Sequence, residues 1–154
     1  MPEPHLLTSG LVDVALGENV KIVEPCNIYG CRLGDDVFIG PFVEIQKNTV
    51  IGARTKVQSH SFICEYVTIG EDCFIGHGVM FTNDLFKNGH PDPNPDHWGR
   101  AQIGDHVAIG SNATLLPVTI CSGAVIGAGS VVTQNITEKA IYAGNPARKI
   151  RVLD

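Results

Sequence analysis

Large rings are scarce in this sequence: aromatic residues make up 6% of it against 44% apolar residues in all, and there is one tryptophan, Trp98. A core must therefore be filled by Ile, Val, Leu and Ala, which suits a narrow and regular interior. Basic residues are also few. With 11 Lys and Arg against 16 Asp and Glu the formal charge is −5, and a nucleic-acid surface, which needs a broad basic face to release counterions, is excluded as an expectation. No apolar run approaches the roughly 18 residues of a membrane span, and the opening MPEPHLLTSG lacks a basic segment followed by a hydrophobic one. A soluble cytoplasmic protein is expected. The five cysteines, Cys26, Cys31, Cys64, Cys73 and Cys121, form no CxxC pair; they suit small buried hydrophobes in a reducing compartment better than a zinc or redox centre. At 154 residues one compact domain spanning 1–154 is expected.

What the chain does have is a count of six. Aliphatic residues fall at Ile22 and Ile28, slip by one, and continue at Leu33, Ile39, Ile45, Ile51, Val57, Ile63, Ile69, Ile75 and Phe81. Many are followed by glycine, and the pattern resumes at Ile103-Gly104 and Ile109-Gly110. Two positions before each aliphatic lies a small or β-branched residue: Val37, Val43, Thr49, Thr55, Ser61, Val67, Cys73, Val79, Val107, Ala113. Period two within period six specifies short strands joined by tight corners, and a helix is excluded because a six-residue period smears such residues around every face of a 3.6-residue spiral. Repeats of this kind build parallel β-helices. Three hexads make one triangular turn, so residues 18 apart stack; on the order of six turns are expected. Slips at Ile28 to Leu33 and at Leu115 to Ile120 belong at corners, where a shorter turn does not flip the strand faces. The count is expected to end at Val132, leaving residues of about 134–154 as a tail that departs from the top, with Gly144 and Pro146 marking a turn.

The repeats, the segment GSNATLLPVTICSGAVIGAGSVVT and the closing YAGNPARKI resemble the hexapeptide-repeat acyltransferases, which implies an all-β fold, the left-handed parallel β-helix of hexapeptide repeats. The stretch FTNDLF at 81–86, followed by a loop, is similar to N-acetyltransferases acting on UDP- or dTDP-linked 3-amino sugars. That resemblance implies acetyl-CoA as donor, no metal, a homotrimer with active sites between subunits, and amide formation on the sugar amine for surface polysaccharide biosynthesis. By the same resemblance no separate nucleotide-binding domain is expected before the repeats, as in the single-domain members.

Stacking by 18 places Asn83 over Glu65 and Lys47, and His77 over Ser59 with Pro41 below. As catalytic candidates we take His77, Asn83 and Asp84. His77 is the obvious base, since an amine must lose its proton to attack a thioester and imidazole titrates near neutrality; Asn83 and Asp84 orient the acceptor or cap the loop's own backbone. Glu65, His60, Trp98 and Arg100 are substrate-binding candidates. The loop of about 82–101, with KNGHPDPNPDHWGR at its centre, is expected to lack structure of its own and to carry Trp98 exposed toward a neighbouring subunit, a base or a sugar. His90 and His97 are weaker candidates for touching the nucleotide, and His106 is expected to face solvent. The oxyanion donor is sought in the backbone N–H of Gly76 or Gly78. The resemblance places the tail along CoA, with Pro146, Arg148 and Lys149 as cofactor-binding candidates; stacking adds the backbone of Ala108, Ser111 and Ala128.

Competing readings are a sugar or serine O-acetyltransferase, a γ-type carbonic anhydrase, whose GHxxxxH pattern needs histidine where Thr82 stands, and a non-catalytic β-helix scaffold.

Overall fold

In a computed structural model, residues 1–153 are described. They form a left-handed parallel β-helix of about seven turns. Three sheets make its faces. Sheet A has seven strands, from Gly10–Val12 up to Val131–Val132; sheet B has six, from Ala15–Leu16 to Thr119–Ile120; sheet C has eight, from Lys21–Ile22 to the closing pair Ala140–Gly144 and Ala147–Val152. No helix of the described residues is long and apolar enough to cross a membrane.

Each six-residue side points two residues inward. The aliphatic of each hexad and the residue two before it are the core: Ile39, Ile45, Val57 and Ile75 are fully buried, and so are Val37, Thr55 and Val79. Hydroxyls in this column are satisfied by the corners they lie beside. Thr55 Oγ1 donates to Gly70 O at 2.8 Å and accepts from Cys73 N at 3.0 Å, and Ser61 does the same with Gly76 O and Val79 N. Each corner turns through one residue in the left-handed region, at Asn48, Arg54, His60, Tyr66, Asp72, Gly78 and Asn112 among others. Glycine after the aliphatic has a separate cause at Gly76: a Cβ there meets Ile109 O and Ser111 N of the next rung, both at 2.7 Å.

Register is 18 where the count is regular, as in Arg32↔Val50, and 17 across the slips, as in Asn27↔Glu44 and Gln102↔Thr119. Both slips lie at the corner between sheets A and B. Across the interruption, Val67 pairs with Ala101, a separation of 34, so the loop adds 16 residues to one turn.

The top of the stack corrects the expected ending. The six-residue count ends at Val132 but the stack does not: Ile136, four residues on, is buried and bridges to Ile120 in sheet B. The tail does not depart either. Ala140–Gly144 lies parallel to Val125–Ile126, and Ala147–Val152 folds back on it antiparallel. Burial of Ile136 and Ala140 supplies the apolar lid that an open prism end lacks.

Candidate active site at the corner of sheets C and A

Backbone hydrogen bonds align one column up the corner between sheets C and A. Gly78 N donates to Ser59 O, His60 N to Pro41 O, Asn112 N to His77 O and Gly129 N to Ser111 O, at 2.8–3.1 Å. Pro41, Ser59, His77, Ser111 and Ala128 therefore stack, with His77 and Ala128 exposed. The His77 ring has one neighbour for its Nδ1, the Ser111 hydroxyl at 3.5 Å. One rung below, His60 stacks on Phe42 with centroids 4.8 Å apart, so it sits at the same corner with its ring face already occupied.

Above Ala128 the closing hairpin completes the column. Gly127 N donates to Tyr142 O at 2.8 Å, and Gly144 N to Ser130 Oγ at 3.3 Å. Ala143 pairs with Arg148 across the hairpin and Gly144 with Ala147, which puts exposed Pro146 in its turn. Three rungs of about 4.8 Å separate His77 from this hairpin, roughly 14 Å in all. Arg148 is exposed and, among the described residues, reaches only the carbonyl of Ala147 at 3.3 Å. Lys149 instead pairs with Glu138 at 2.8 Å, and that carboxylate raises its pKa.

The backbone donors divide sharply. Gly76 N and Gly78 N are spent in the ladder, on Ile109 O and Ser59 O, and Ala108 N on Ala124 O; none is free for an oxyanion or a ligand amide. Among the described residues the N–H groups of His77, Ser111 and Ala128 have no acceptor. Ala108 lies on the face of sheet C, between Phe74 and Val125, not at the corner.

The other candidates gather at the corner of sheets A and B. Lys47 Nζ is 3.9 Å from Glu65 Oε1, and Asn83 Nδ2 donates to Glu65 O at 3.4 Å. Glu65 is 9% exposed and its Oε2 is buried without a partner. Sequence counting missed the groups beneath it: Gln46 Oε1 accepts from Glu65 N, and Gln46 Nε2 donates to Glu44. Their signal is the same stacking rule applied to outward positions.

The loop, residues 82–100, is held by its own bonds. Asp84 accepts from Phe86 N at 2.9 Å and from Asp92 N at 2.7 Å. Trp98, expected exposed, is half-buried, and its indole N–H donates to Asp92 O at 2.9 Å. Asn94 caps a 3₁₀ turn over Pro95–His97 where no structure was expected. His97 Nδ1 lies 3.0 Å from Asp92 Oδ2. The Asp92 carboxyl is held below the usual range, first by the Asn94 N–H and then by His97. Exposed His90 lies 3.0 Å from Pro91 O, and Arg100 sits 4.7 Å over the Tyr66 ring of its own chain. A hollow of about 320 Å³ opens among Asn83, Asp84, Lys87, His90, Asp92 and His97. His106, exposed, is 4.0 Å from Asp72 at the third corner, where Arg54 also pairs with Asp72 and Glu71. Among the described residues no group of three His, Cys, Asp or Glu is placed to hold a metal ion.

The candidates thus form two sets. His77, His60, Ser111, Ala128 and Arg148 share one corner, while Asn83, Asp84, Glu65, Trp98 and Arg100 share another. Asn83 is six residues beyond His77, across the width of sheet A, a span of about 20 Å at 3.3 Å per residue.

Two repeat-family models match the sequence. The hexapeptide repeat of succinyl-transferase matches residues 66–80 and 100–134, and the bacterial transferase hexapeptide matches 30–65. The chain belongs to the hexapeptide-repeat transferases. The matched stretches stop at Met80 and resume at Arg100, which leaves the loop outside the shared pattern. Among sequence relatives, the bifunctional protein GlmU of Acinetobacter baumannii is 38% identical over 128 residues, 82% of this chain and 26% of that protein. The chain spans about a quarter of such curated relatives. Among solved structures, galactoside acetyltransferase in complex with coenzyme A superposes with a TM-score of 0.67 at 30% identity, over 79% of this chain and 64% of that one. Perosamine N-acetyltransferase of Caulobacter crescentus, in complex with CoA and GDP-perosamine, gives 0.66 at 19% identity, over 88% of this chain and 56% of that one.

Proposed function

We propose that this hexapeptide transferase moves the acetyl group of acetyl-CoA to the amine of a nucleotide-linked amino sugar, UDP- or dTDP-bound. One observation carries the reading: an exposed histidine stands at the foot of a corner column whose free N–H groups lead to an exposed arginine. The pantetheine arm lies along that column, with its amides on Ser111 N and Ala128 N and its phosphates toward Arg148. CoA in the two structural neighbours supports the donor, and GDP-perosamine in one of them supports the acceptor class.

With Nδ1–H donated to Ser111, His77 keeps its Nε2 lone pair for the proton of the attacking amine. The amine nitrogen bonds to the thioester carbonyl carbon, the C–S bond breaks, and the thiolate leaves with the proton His77 has taken. The oxyanion formed on the way has the N–H of His77, the free donor that the pantetheine amides leave, as its donor. Because the loop set stands across sheet A from this corner, the complete site takes the loop of a neighbouring copy, and a homotrimer is the proposed assembly.

The test is acetyl-CoA consumption against a panel of UDP- and dTDP-amino sugars, with the product weighed. Expected is an acetylated amine from at least one of them. Acetylation of a hydroxyl instead would establish O-transfer, the reading that galactoside acetyltransferase supports. Absence both of turnover and of a thermal shift with CoA, where saturation at 100 times Kd stabilises by about 2.7 kcal/mol, would establish a scaffold.

A further inference from the structure

Sheet C carries, from the first turn up to the His77 rung, an outward column that alternates charge and ring: Lys21 pairs with Phe38, Phe38 with Lys56 and Lys56 with Phe74. A hollow of about 480 Å³ lies over it, lined also by Asn19, Asp36 and Gln58. Lys47, Arg54 and Lys149 are paired with carboxylates, whereas Lys21 and Lys56 form no ion pair among the described residues. Two rungs put them about 9.6 Å apart, within one Debye length of about 10 Å at 0.1 M salt. They repel one another in a chain whose net charge is −5, and an anion between them relieves that repulsion.

We infer that this groove binds the nucleoside diphosphate of the acceptor, with the base against Phe38 and the diphosphate between Lys21 and Lys56. A planar base has a π-face for the Phe38 ring, and a diphosphate offers oxygens to two ammonium groups at once. Asp36 lies at the corner of sheets B and C, the far end of the hollow, so the phosphates point the other way, past Gln58. From Lys56 the strand runs through Gln58 to Ser59, which stacks directly under His77. That path is about 10 Å along the strand and one rung up, the reach of a sugar carried on a diphosphate. Coenzyme A also contains a nucleoside diphosphate, but its proposed path runs upward from His77 to Arg148, away from the groove. The inference rests on the acetyltransferase reading for what the bound nucleotide carries, and it adds a site to which none of the sequence candidates belongs.

The experiment is calorimetric titration of the full chain with UDP, dTDP and adenosine 3′,5′-bisphosphate. Four proteins are compared: wild type, the double variant Lys21→Ala with Lys56→Ala, Phe38→Leu, and Arg32→Ala on sheet B as a control. All the altered charges are exposed, so the fold is kept. Expected is binding of UDP or dTDP that the double lysine variant weakens at least tenfold and Phe38→Leu severalfold. Arg32→Ala is expected to leave it unchanged, and CoA affinity to stay within twofold throughout. Equal binding of UDP and dTDP to wild type and double variant, or to neither, overturns the groove, as does adenosine 3′,5′-bisphosphate being the nucleotide whose binding the lysines control. Acetyl transfer that proceeds with an unchanged KM for the acceptor in the double variant overturns the groove and leaves the acetyltransferase reading standing. Lysine-dependent UDP binding in a protein that acetylates no amine supports the groove and overturns that reading.

Discussion

The loop of residues 82–100 and the corner column through His77 hold the two sets of candidate residues, and they differ in opposite ways. The loop is rich in polar side chains, yet most of them are engaged with one another: Asp84, Asp92, Asn94, His97 and Trp98 all bond within it. The corner is poor in polar side chains, yet what it has is open: His77 is exposed, and among the described residues three stacked N–H groups lack acceptors and Arg148 above reaches only a backbone carbonyl. Density of polar residues marks where a loop must hold its own shape without a core; free donors and an unpaired ring nitrogen mark where a ligand is accommodated.

The comparison breaks most sharply under the stack itself. Ile75 is fully buried directly beside the corner, and Ile75→Ala is expected to lower unfolding free energy by about 2–5 kcal/mol, read from denaturant melts, with activity falling alongside. His77→Ala should leave those melts unchanged and lower kcat about 100-fold, the size of a lost general base acting on an amine. A loss beyond about a thousandfold would instead indicate a hydroxyl acceptor, which depends more heavily on its base.

On the loop side, Asp84→Ala removes a carboxylate that accepts from two backbone donors, each such charged bond contributing about 1.5–3 kcal/mol. The effect should stay local. Amide exchange at Phe86 and Asp92 accelerates, while the melting of the stack does not move. The smallest effect is one of pH. Because the folded-state pKa of Asp92 is depressed by the Asn94 N–H and by His97, its contribution to loop order is fully present above the ordinary carboxylate value of about 3.9 and is lost as pH falls through the depressed one. Loop amide protection followed down to that range should fall while the strands of sheet A keep theirs; loss of both together would make the loop part of the stack's cooperative unit.

The stack was legible because its physics is local and repeated. The small or β-branched column from Val37 to Ala113 is buried as the spacing demands, and the two one-residue slips fall at a corner because a slip anywhere else would turn a strand inside out. The ends were not legible. Ile136 and the closing hairpin obey no hexad, since a cap is shaped by the surface it covers. Stacking by 18 placed His77 over Ser59 and Asn83 over Glu65, but it could not show that Asp84 and Trp98 would spend their donors and acceptors inside the loop. Nor could it show that Gly76 N and Gly78 N are ladder donors while the N–H between them is not. Those facts depend on which way each peptide faces, which residue identity does not encode at a corner.

Amide hydrogen exchange of the full chain with and without CoA tests the central claim most directly. The account predicts slowed exchange at His77, Ser111, Ala128 and the hairpin 143–148, with the amides of 82–100 unchanged by CoA alone. Protection confined to the loop, with the corner column exchanging as before, would contradict it.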